Sequence, residues 1–364
     1  MTPADIVCLS HVPWSLALER PRQVMQRLAC DRRVVFVEDP RAWHGRPRVS
    51  IRAAEHGAVV VSIRVPHELD AREVEQQHRA ALEGLVRRLD VVEPVLWSYS
   101  PRAARVAASV GPSLVVHDCI DDRGDLEERA LVAHADIVFA ATDALFEAKR
   151  GMNVSTYPVP SGVEVEHFAQ ARRARVRSRA RPRAGVLCHV DDRLDLDLLA
   201  RVAALRPELV IDVAGPIAIP RDELPRPPNV RWLGRVPYAD LPALTGTWDV
   251  ALVPWRVTRR TTRLEPAGVL ASLASGLAVV STPLDAVVAR HGGRVPVLVA
   301  SRDTFHDAID AALALPRDVK RIAIDALLAR TSWDRTASVM SRLVSEAEMA
   351  RDVARGVCRV RRPA

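Results

Sequence analysis

The chain has 364 residues, of which 48% are hydrophobic and 4% aromatic, and its formal net charge at pH 7 is +7. This length is enough for about two domains, and the apolar content excludes an intrinsically disordered chain. Its five cysteines are odd in number and form no CxxC pair, which argues against a disulfide framework or a zinc site and favours reduced thiols in the cytoplasm.

The first half of the chain alternates between short apolar runs and amphipathic stretches. Helical spacing of apolar residues predicts helices over Arg22–Ala29 and Glu73–Leu89. The apolar runs predict buried strands at Ile6–Ser10, Val34–Val37, Val59–Ile63, Val95–Trp97, Leu114–Val116 and Ile137–Ala140. Strands that alternate with helices in this way indicate a parallel sheet with crossover helices.

A basic segment interrupts the pattern near residue 170. Ala171–Arg183 reads ARRARVRSRARPR and has no apolar face. It predicts a solvated linker between domains, or alternatively a contact with the headgroups of anionic phospholipids. The stretch Arg351–Arg362 is also basic and predicts a frayed C-terminal tail, or alternatively a contact with a membrane surface.

The alternation then restarts and predicts a second parallel sheet. The predicted strands are Gly185–Val190, Leu209–Ala214, Val230–Leu233, Val250–Val253 and Ala278–Ser281. The predicted helices are Leu194–Leu205, Pro266–Ala274, Phe305–Leu315, Val319–Leu328 and Trp333–Arg351. The expected organisation is therefore an N-terminal domain over 1–170, a linker over 171–184, a C-terminal domain over 185–335, and a terminal helix with a basic tail over 336–364.

Neither a secretion signal nor a membrane span is evident. The N-terminus lacks a basic region and a long apolar core, and no run approaches the ~18 apolar residues of a spanning helix. We therefore expect a cytoplasmic protein with possible peripheral contact to the inner face of the cell membrane. Nucleic acid is not an expected partner, because aromatic residues are few and the basic residues cluster in the linker.

Ligands of open parallel sheets bind beyond the carboxyl ends of the strands. In this chain the segments that follow predicted strands are His11–Trp14, Trp97–Pro101, His117–Asp122, Cys188–Arg193, Gly215–Pro216 and Pro254–Arg256. The chain has no GxGxxG, P-loop or GxSxG motif, so the usual dinucleotide, nucleoside-triphosphate and hydrolase interpretations lose their main support.

The segment Arg256–Gly276 is the most informative. Its basic loop leads to Glu265-Pro266 and a helix that ends at Gly276. A basic loop next to a helix N-terminus favours a diphosphate, because free N–H groups and the helix dipole both attract an anion. An ordinary surface loop before a core helix remains the alternative.

The sequence resembles the GT-B glycosyltransferases, specifically bacterial family-1 and family-4-like enzymes of cell-surface polysaccharide synthesis. In chain order the resemblance rests on Glu19–Gln23, Val35–Pro40, His117–Asp122, Ala135–Val138, Pro160–Glu164, Asp191–Asp195, Arg206–Pro207, Ala214–Pro216, Pro228–Gly234, Tyr238–Pro242, Trp248–Trp255, Gly276–Pro283 and Ser332–Asp334. It implies an α/β protein with two Rossmann-like domains facing a cleft. The first domain would take the acceptor and the second a nucleoside diphosphate sugar, with neither a metal nor a cofactor.

The donor-site motif departs from this family. Members carry Pro-x-Lys-x-x-Glu, and the lysine and glutamate positions are Gly268 and Ala271 here. Cys188 replaces a glycine-rich turn, and Ser161 replaces the asparagine of a Pro-Asn-Gly-Val motif. Since each charged hydrogen bond contributes about 1.5–3 kcal/mol, losing two would weaken donor binding or turnover by roughly 10² to 10⁴.

Two compensations for the lost contacts are visible in the sequence. Arginines of the loop could neutralise a diphosphate, and Glu265 could reach sugar hydroxyls from the helix start. The expected donor-binding residues are Arg193, Gly215, Pro216, Arg256, Arg260, Arg263, Glu265, Pro266 and Gly268. Arg259 is a further arginine of the loop that could help to neutralise the diphosphate.

The acceptor side is predicted from the strand ends of the first half. His117 and Asp118 are the candidate catalytic residues, because a histidine in a cleft can act as a base. The candidate acceptor-binding residues are His11, Trp14, Asp121 and Asp122, with the ring of Trp14 as a stacking platform. For each of these residues the alternative is a structural role without chemistry. No second group at these aspartates has metal-ligand spacing, so no metal is expected.

Two functions remain after these arguments. One is a glycosyltransferase that moves a sugar from a nucleoside diphosphate to a carbohydrate or lipid-linked acceptor. The other is a catalytically impaired glycosyltransferase-like subunit that binds or scaffolds. A GT-B sugar epimerase is disfavoured, because the matching motifs are those of transferases.

Overall fold

The structure is a computed structural model, and it describes residues 3–174, 181–292 and 295–356. The chain divides into two compact units. The first comprises the chain up to Ala141, Leu145–Pro160 and the chain from Asp334 onward, and the second comprises Thr142–Ala144 and Ser161–Trp333. Each unit contains one sheet.

The first unit is built on a nine-stranded sheet. Its strands are β1 (Ile6–Ser10), β2 (Val34–Glu38), β3 (Arg41–Trp43), β4 (Arg48–Ala53), β5 (Val59–Pro66), β6 (Val95–Ser98), β7 (Leu114–Cys119), β8 (Ile137–Ala140) and β9 (Thr156–Pro158). They lie in the order β3-β5-β2-β1-β6-β7-β8-β9, and β4 pairs antiparallel with β5. Every other pair is parallel, as expected for strands that are joined by helices.

Helices cover this sheet. They are α1 (Arg20–Leu28), α2 (Ala71–Arg88), α3 (Ala103–Val106), α4 (Leu126–His134) and α5 (Asp143–Lys149). The α2 N-terminus has a capping box, in which the Asp70 carboxylate accepts from the Glu73 N–H at 2.8 Å and the Glu73 carboxylate accepts from the Asp70 N–H at 2.9 Å. The apolar face of α2, with Leu82 and Leu85, packs against β5 in a core cluster that also includes Leu96 of β6.

The second unit is built on a six-stranded parallel sheet. Its strands are β10 (Arg183–Leu187), β11 (Val210–Ala214), β12 (Val230–Gly234), β13 (Val250–Val253), β14 (Ala278–Ser281) and β15 (Val297–Val299), in the order β12-β11-β10-β13-β14-β15. Its helices are α6 (Val165–Ala174), α7 (Leu196–Leu205), α8 (Leu241–Thr245), α9 (Ala267–Ala274), α10 (Asp285–His291), α11 (Phe305–Ala314) and α12 (Arg317–Leu328).

The last helix, α13 (Trp333–Ala354), packs with the first unit. Its Glu348 pairs with buried Arg32 at 3.1 Å, and its Thr336 hydroxyl donates to the Pro160 carbonyl at 2.9 Å. Met340 and Val344 are buried on its inner face. In the part of the chain that the structure describes, no helix is long and apolar enough to cross a membrane.

The fold class predicted from the sequence is confirmed, with two parallel-sheet α/β units. The apolar runs found every core strand of both sheets except the short β9 and β15. Short elements with mixed polarity, such as β3, β4 and α4, were missed because they have no continuous apolar face. The strand predicted at Leu114–Val116 was too short, since β7 continues through Cys119. Residues 175–180 of the predicted linker and 357–364 of the basic tail lie outside the described residues.

Candidate functional site

A pocket of about 250 Å³ lies at the carboxyl edge of the first sheet. Here β1 pairs with β2 on one side and with β6 on the other, so the connections from β1 and β2 leave the sheet in opposite directions. Such a switch point is where open α/β sheets bind ligands. The lining residues are His11, Asp39, Pro40, Arg41, Ser100, Arg102 and Arg123.

His11 and Asp39 supply hydrogen-bond acceptors to this pocket. His11 Nδ1 lies 2.8 Å from the Tyr99 carbonyl, which can only accept, so Nδ1 carries the proton and Nε2 has the free lone pair of a neutral ring. Burial lowers the pKa of His11 below its ordinary value despite the opposing charge of Asp39. Ser100 donates to Asp39 Oδ2 at 3.0 Å, while Asp39 Oδ1 is buried without a hydrogen-bond partner.

The candidate catalytic residues His117 and Asp118 lie inside β7, and this placement corrects the predicted strand end. Asp118 is fully buried, with both carboxylate oxygens 3.0 Å from Arg20 Nε. His117 is 3% exposed, and burial lowers its pKa to about 4, so the ring is neutral. Its Nδ1 donates to the Ser98 carbonyl at 3.2 Å. Both side chains are thus covered by protein, and their catalytic role stays a prediction.

Asp122 belongs to a buried ionic cluster. Lys149 Nζ lies 2.7 Å from Asp122 and 2.8 Å from Glu128. Ligand atoms of His117, Cys119 and Glu128 lie within 4.8 Å of one another, which is a possible metal-ligand group. The Lys149 ammonium already neutralises Glu128, and burial raises the pKa of the Cys119 thiol, so this group disfavours a cation.

The other two predicted acceptor residues are also in contact with protein. Asp121 Oδ1 accepts from the Asp122 N–H at 2.8 Å. Trp14 is 2% exposed and packs edge-on against Phe36 with ring centroids 5.1 Å apart. Its ring is therefore covered in this structure. The acceptor-binding roles of both residues stay predictions, whereas His11 is the predicted residue that lines the pocket.

The second sheet has its own switch point at β10, which pairs with β11 on one side and β13 on the other. Gly215 follows β11 with φ +147°, and a Cβ there would lie 1.7 Å from the Cys188 carbonyl oxygen. Only glycine allows this approach. The Pro216 carbonyl accepts from the Val190 N–H at 2.9 Å. Gly215 and Pro216 thus shape the loop after β10.

Arg193 is held by two neighbours at this edge. Its Nη2 lies 2.6 Å from the Asp191 carboxylate, and its guanidinium stacks on Trp255 at 4.9 Å from the ring centroid. Burial raises the pKa of Asp191, but the hydrogen bonds from Arg193 outweigh it and the pKa is below its ordinary value. Arg193 therefore carries a paired charge, which a donor phosphate would have to share.

The basic loop between β13 and α9 is shaped by threonines. Thr258 N–H donates to Thr261 Oγ1 at 2.9 Å, and the Thr261 hydroxyl donates to the Arg256 carbonyl. Arg256 and Arg259 are exposed, whereas Arg260 and Arg263 are half-buried. The loop thus presents two exposed arginines between β13 and α9.

Glu265 lies at the end of this loop, but its carboxylate is occupied. It pairs with Arg290, and its Oε1 lies 2.6 Å from His291 Nε2, while the side chain is 5% exposed. Burial raises the pKa of Glu265, but Arg290 and His291 outweigh this and lower the pKa below its ordinary value. The predicted contact with sugar hydroxyls would have to compete with both partners.

Helix α9 backs directly onto the end of β10. A Cβ at Gly268 would lie 2.3 Å from the Leu187 carbonyl oxygen, and Ala271 is fully buried. Pro266, just before the helix, is buried as well. The two positions that depart from the family motif therefore face protein, and their small side chains suit that contact.

Several pocket residues were not among the candidate site residues named from the sequence, although Ser100 lies in the predicted strand-end segment Trp97–Pro101. Asp39, Ser100 and Arg123 follow β2, β6 and β7, so the strand-end rule that selected His11 also applied to them. Arg102 is the N-cap residue directly before α3, and Arg41 begins β3, an element that was not predicted. The position of the switch point would have identified these residues, but it can be located only when the order of the strands in the sheet is known.

Comparisons with known proteins agree with this architecture. No family model matches the chain. The putative teichuronic acid biosynthesis glycosyltransferase TuaH of Bacillus subtilis is 26% identical over 169 residues, which is 43% of this chain and 43% of that protein. The match thus spans less than half of the curated relative.

Solved structures match over nearly the whole chain. Sucrose-phosphate synthase from Thermosynechococcus elongatus has a TM-score of 0.72 at 15% identity, covering 95% of this chain and 100% of the other. HepE from Anabaena, solved with UDP and glucose, has a TM-score of 0.70 at 12% identity, covering 93% and 99%. These relatives are GT-B glycosyltransferases, and the resemblance in fold inferred from the sequence is confirmed.

Proposed function

We propose that the chain is a glycosyltransferase that moves a sugar from a nucleoside diphosphate sugar to a carbohydrate or lipid-linked acceptor in cell-surface polysaccharide synthesis. The observation that carries this proposal is the GT-B likeness over 95% of the chain. The relative TuaH, a putative teichuronic acid biosynthesis glycosyltransferase, supports cell-surface polysaccharide synthesis as the pathway. The complex of HepE with UDP and glucose supports the donor class.

The second unit supplies the donor side of this proposal. The exposed Arg256 and Arg259 would neutralise the diphosphate next to the N-terminus of α9, in place of the lysine that Gly268 replaces. No cofactor or metal is proposed.

The first unit supplies the acceptor side. In the transfer the bond between the sugar's anomeric carbon and the phosphate oxygen breaks, and an acceptor oxygen bonds to that carbon and loses its proton. His11 suits proton acceptance better than His117, because its Nε2 belongs to a neutral ring in an open pocket. His117 is covered by protein.

The cellular location is a separate part of the proposal. We propose a cytoplasmic protein that contacts the inner face of the cell membrane peripherally. The support for this contact is the arginine content of residues 171–183 and 351–362.

A catalytically impaired binding subunit is the second candidate. The observation that favours it is the absence of the lysine and glutamate at Gly268 and Ala271, where neither position has room for the larger side chain. Such a protein would bind a nucleotide without transferring a sugar.

Nucleotide binding tests the donor part of the proposal. We expect at least one of UDP, GDP, ADP, CDP and dTDP to raise the melting temperature of the full chain, since a ligand at 100 times its Kd stabilises by about 2.7 kcal/mol. The double variant Arg256→Gln/Arg259→Gln should lose this effect, and Arg88→Gln, an exposed arginine at the end of α2, should retain it.

The same proteins separate the two candidates. If His11→Gln keeps the nucleotide affinity of the wild type and loses donor turnover, the transferase is supported. Nucleotide binding without any donor hydrolysis or transfer would favour the binding subunit. No shift with any nucleotide would contradict the proposed function.

A further inference from the structure

The pocket of the first unit is positively charged. Its seven lining residues include three arginines and one aspartate, so with a neutral His11 its formal charge is +2. Its volume of about 250 Å³ lies just below the ~300–1,000 Å³ of typical ligand sites. A single sugar ring with a small charged group suits this size better than an oligosaccharide or a complete nucleotide sugar.

The three guanidinium groups of this pocket are available to a ligand. Arg41, Arg102 and Arg123 are exposed, and within residues 3–174, 181–292 and 295–356 none of them has an ion pair or a hydrogen bond from its side chain. By contrast, Arg20 is buried against Asp118. Guanidinium groups match the geometry of phosphate oxygens, so three at one pocket form a suitable subsite for a phosphate.

Asp39 and His11 restrict the ligand further, because they offer hydrogen-bond acceptors whereas the three arginines offer donors. Asp39 Oδ1 is buried without a partner, and His11 Nε2 carries a lone pair. Both atoms call for hydrogen-bond donors, which a phosphate dianion does not offer and sugar hydroxyls do. A simple anion would leave Asp39 Oδ1 without a hydrogen-bond donor, and buried polar atoms in folded proteins rarely lack a partner.

We propose that this pocket binds a phosphorylated sugar, with the phosphate held by Arg41, Arg102 and Arg123 and the sugar hydroxyls by Asp39 and His11. The inference rests on the proposed function and deepens it, because it assigns the acceptor to a chemical class. A soluble sugar phosphate and a sugar linked through a diphosphate to a lipid share this chemistry.

Calorimetry with the full chain tests the proposal. The probes are glucose 1-phosphate, glucose 6-phosphate, glucose and inorganic phosphate. We expect a sugar phosphate to bind at least tenfold more tightly than glucose and than phosphate. Arg102→Gln and Arg123→Gln should each weaken that binding roughly 10- to 100-fold, because each removes a charged hydrogen bond. Asp39→Asn should weaken sugar phosphate more than inorganic phosphate.

The matched control is Arg88→Gln, which makes the same charge change at the last residue of α2. Since α2 leads into the start of β6, Arg88 lies at the amino edge of the sheet, opposite to the pocket. It should bind every probe as the wild type does. Glucosyl farnesyl diphosphate in detergent forms the second arm. Tighter binding of this probe than of the two glucose phosphates identifies the lipid-linked source, and the reverse order identifies the soluble one.

Three results would overturn the inference. They are the absence of binding in both arms, equal affinity for glucose and its phosphates, and unchanged affinity in both arginine variants. Displacement of the sugar phosphate by a nucleoside diphosphate would assign the pocket to the donor. A failed nucleotide shift alongside intact sugar-phosphate binding would contradict the proposed function and leave the pocket assignment standing.

Discussion

Glu265 shows how a residue that suits ligand binding can be committed to the fold. The sequence placed its carboxylate at the start of a helix beside a basic loop, where it could meet a sugar hydroxyl. In the structure Arg290 and His291 both contact it, and its side chain is buried. A buried carboxylate with two such partners contributes to the stability of the fold before it can contribute to ligand binding.

We expect Glu265→Gln to lower the free energy of unfolding of the second unit by about 1–3 kcal/mol at pH 7, since charged hydrogen bonds are lost. The folded-state pKa of Glu265 lies below its ordinary value of 4.5, so its contribution is present above that pH and is lost as the pH falls through the folded-state pKa. The difference between variant and wild type should therefore shrink below pH 4.5.

Urea-dependent hydrogen exchange of peptides from β10 and β13 measures this difference at pH 7 and at lower pH. Glu83→Gln, an exposed glutamate of α2, is the matched control and should change nothing. A Glu265→Gln protein as stable as the wild type, with weakened nucleotide-sugar binding, would instead support the donor role.

At the residue scale the sequence identified some pocket chemistry and missed the rest. His11 was selected by the rule that ligands meet strand ends, and it lines the pocket. Arg41 and Arg102 were not, because their place depends on which strands are neighbours. Trp14 was selected by the same rule and is buried, since the pattern does not tell which side chain of a loop turns inward.

Among the elements, α9 carries the two positions, Gly268 and Ala271, at which the sequence departs from the motif that it resembles. The sequence predicted this helix almost to the residue from its apolar run and from Gly276. It could not show that the helix rests on the end of β10, where Gly268 leaves no space for a side chain. The missing lysine is thus linked to the packing of the helix as well as to ligand binding.

We expect Gly268→Ala to destabilise the second unit by about 1–3 kcal/mol, because the new methyl group would force the helix away from the Leu187 carbonyl. Gly84→Ala is the matched control, since Gly84 lies in α2 and a Cβ there meets nothing within 4 Å. That change should stabilise the first unit by about 0.4–1 kcal/mol.

Hydrogen exchange of both proteins gives the two free energies from one experiment. A Gly268→Ala protein that is as stable as the wild type would show that α9 can shift easily. In that case the double change Gly268→Lys/Ala271→Glu, which would restore the family motif, becomes a practical test of donor affinity. With the packing observed, it should destabilise the unit.

For the whole molecule, the alternation of strands and helices was enough to predict two parallel-sheet domains, because apolar periodicity is a local property of the chain. The assignment of α13 to the first unit was not predictable in this way. Its partners, among them Arg32 and Pro160, are distant in sequence, and nothing in the helix itself names them.

The return of α13 to the first unit makes a last prediction. A chain that ends at residue 333 loses the buried side chains of Met340 and Val344 and leaves Arg32, whose side chain is 3% exposed, without Glu348. An unpaired buried charge costs several kcal/mol, and each lost core side chain adds about 2–5 kcal/mol. The first unit should therefore exchange its β1 and β2 amides much faster, while β10 and β13 remain protected.

The matched control is a chain that ends at Gly356, which keeps all of α13 and should exchange like the full protein. Met340→Ala provides a milder change, with a loss of about 2–5 kcal/mol confined to the first unit. Equal acceleration of exchange in both sheets would contradict the division of the chain, because it would mean that the two units unfold together. Faster exchange in β1 and β2 alone would show that the last helix completes the unit that carries the sugar-phosphate pocket.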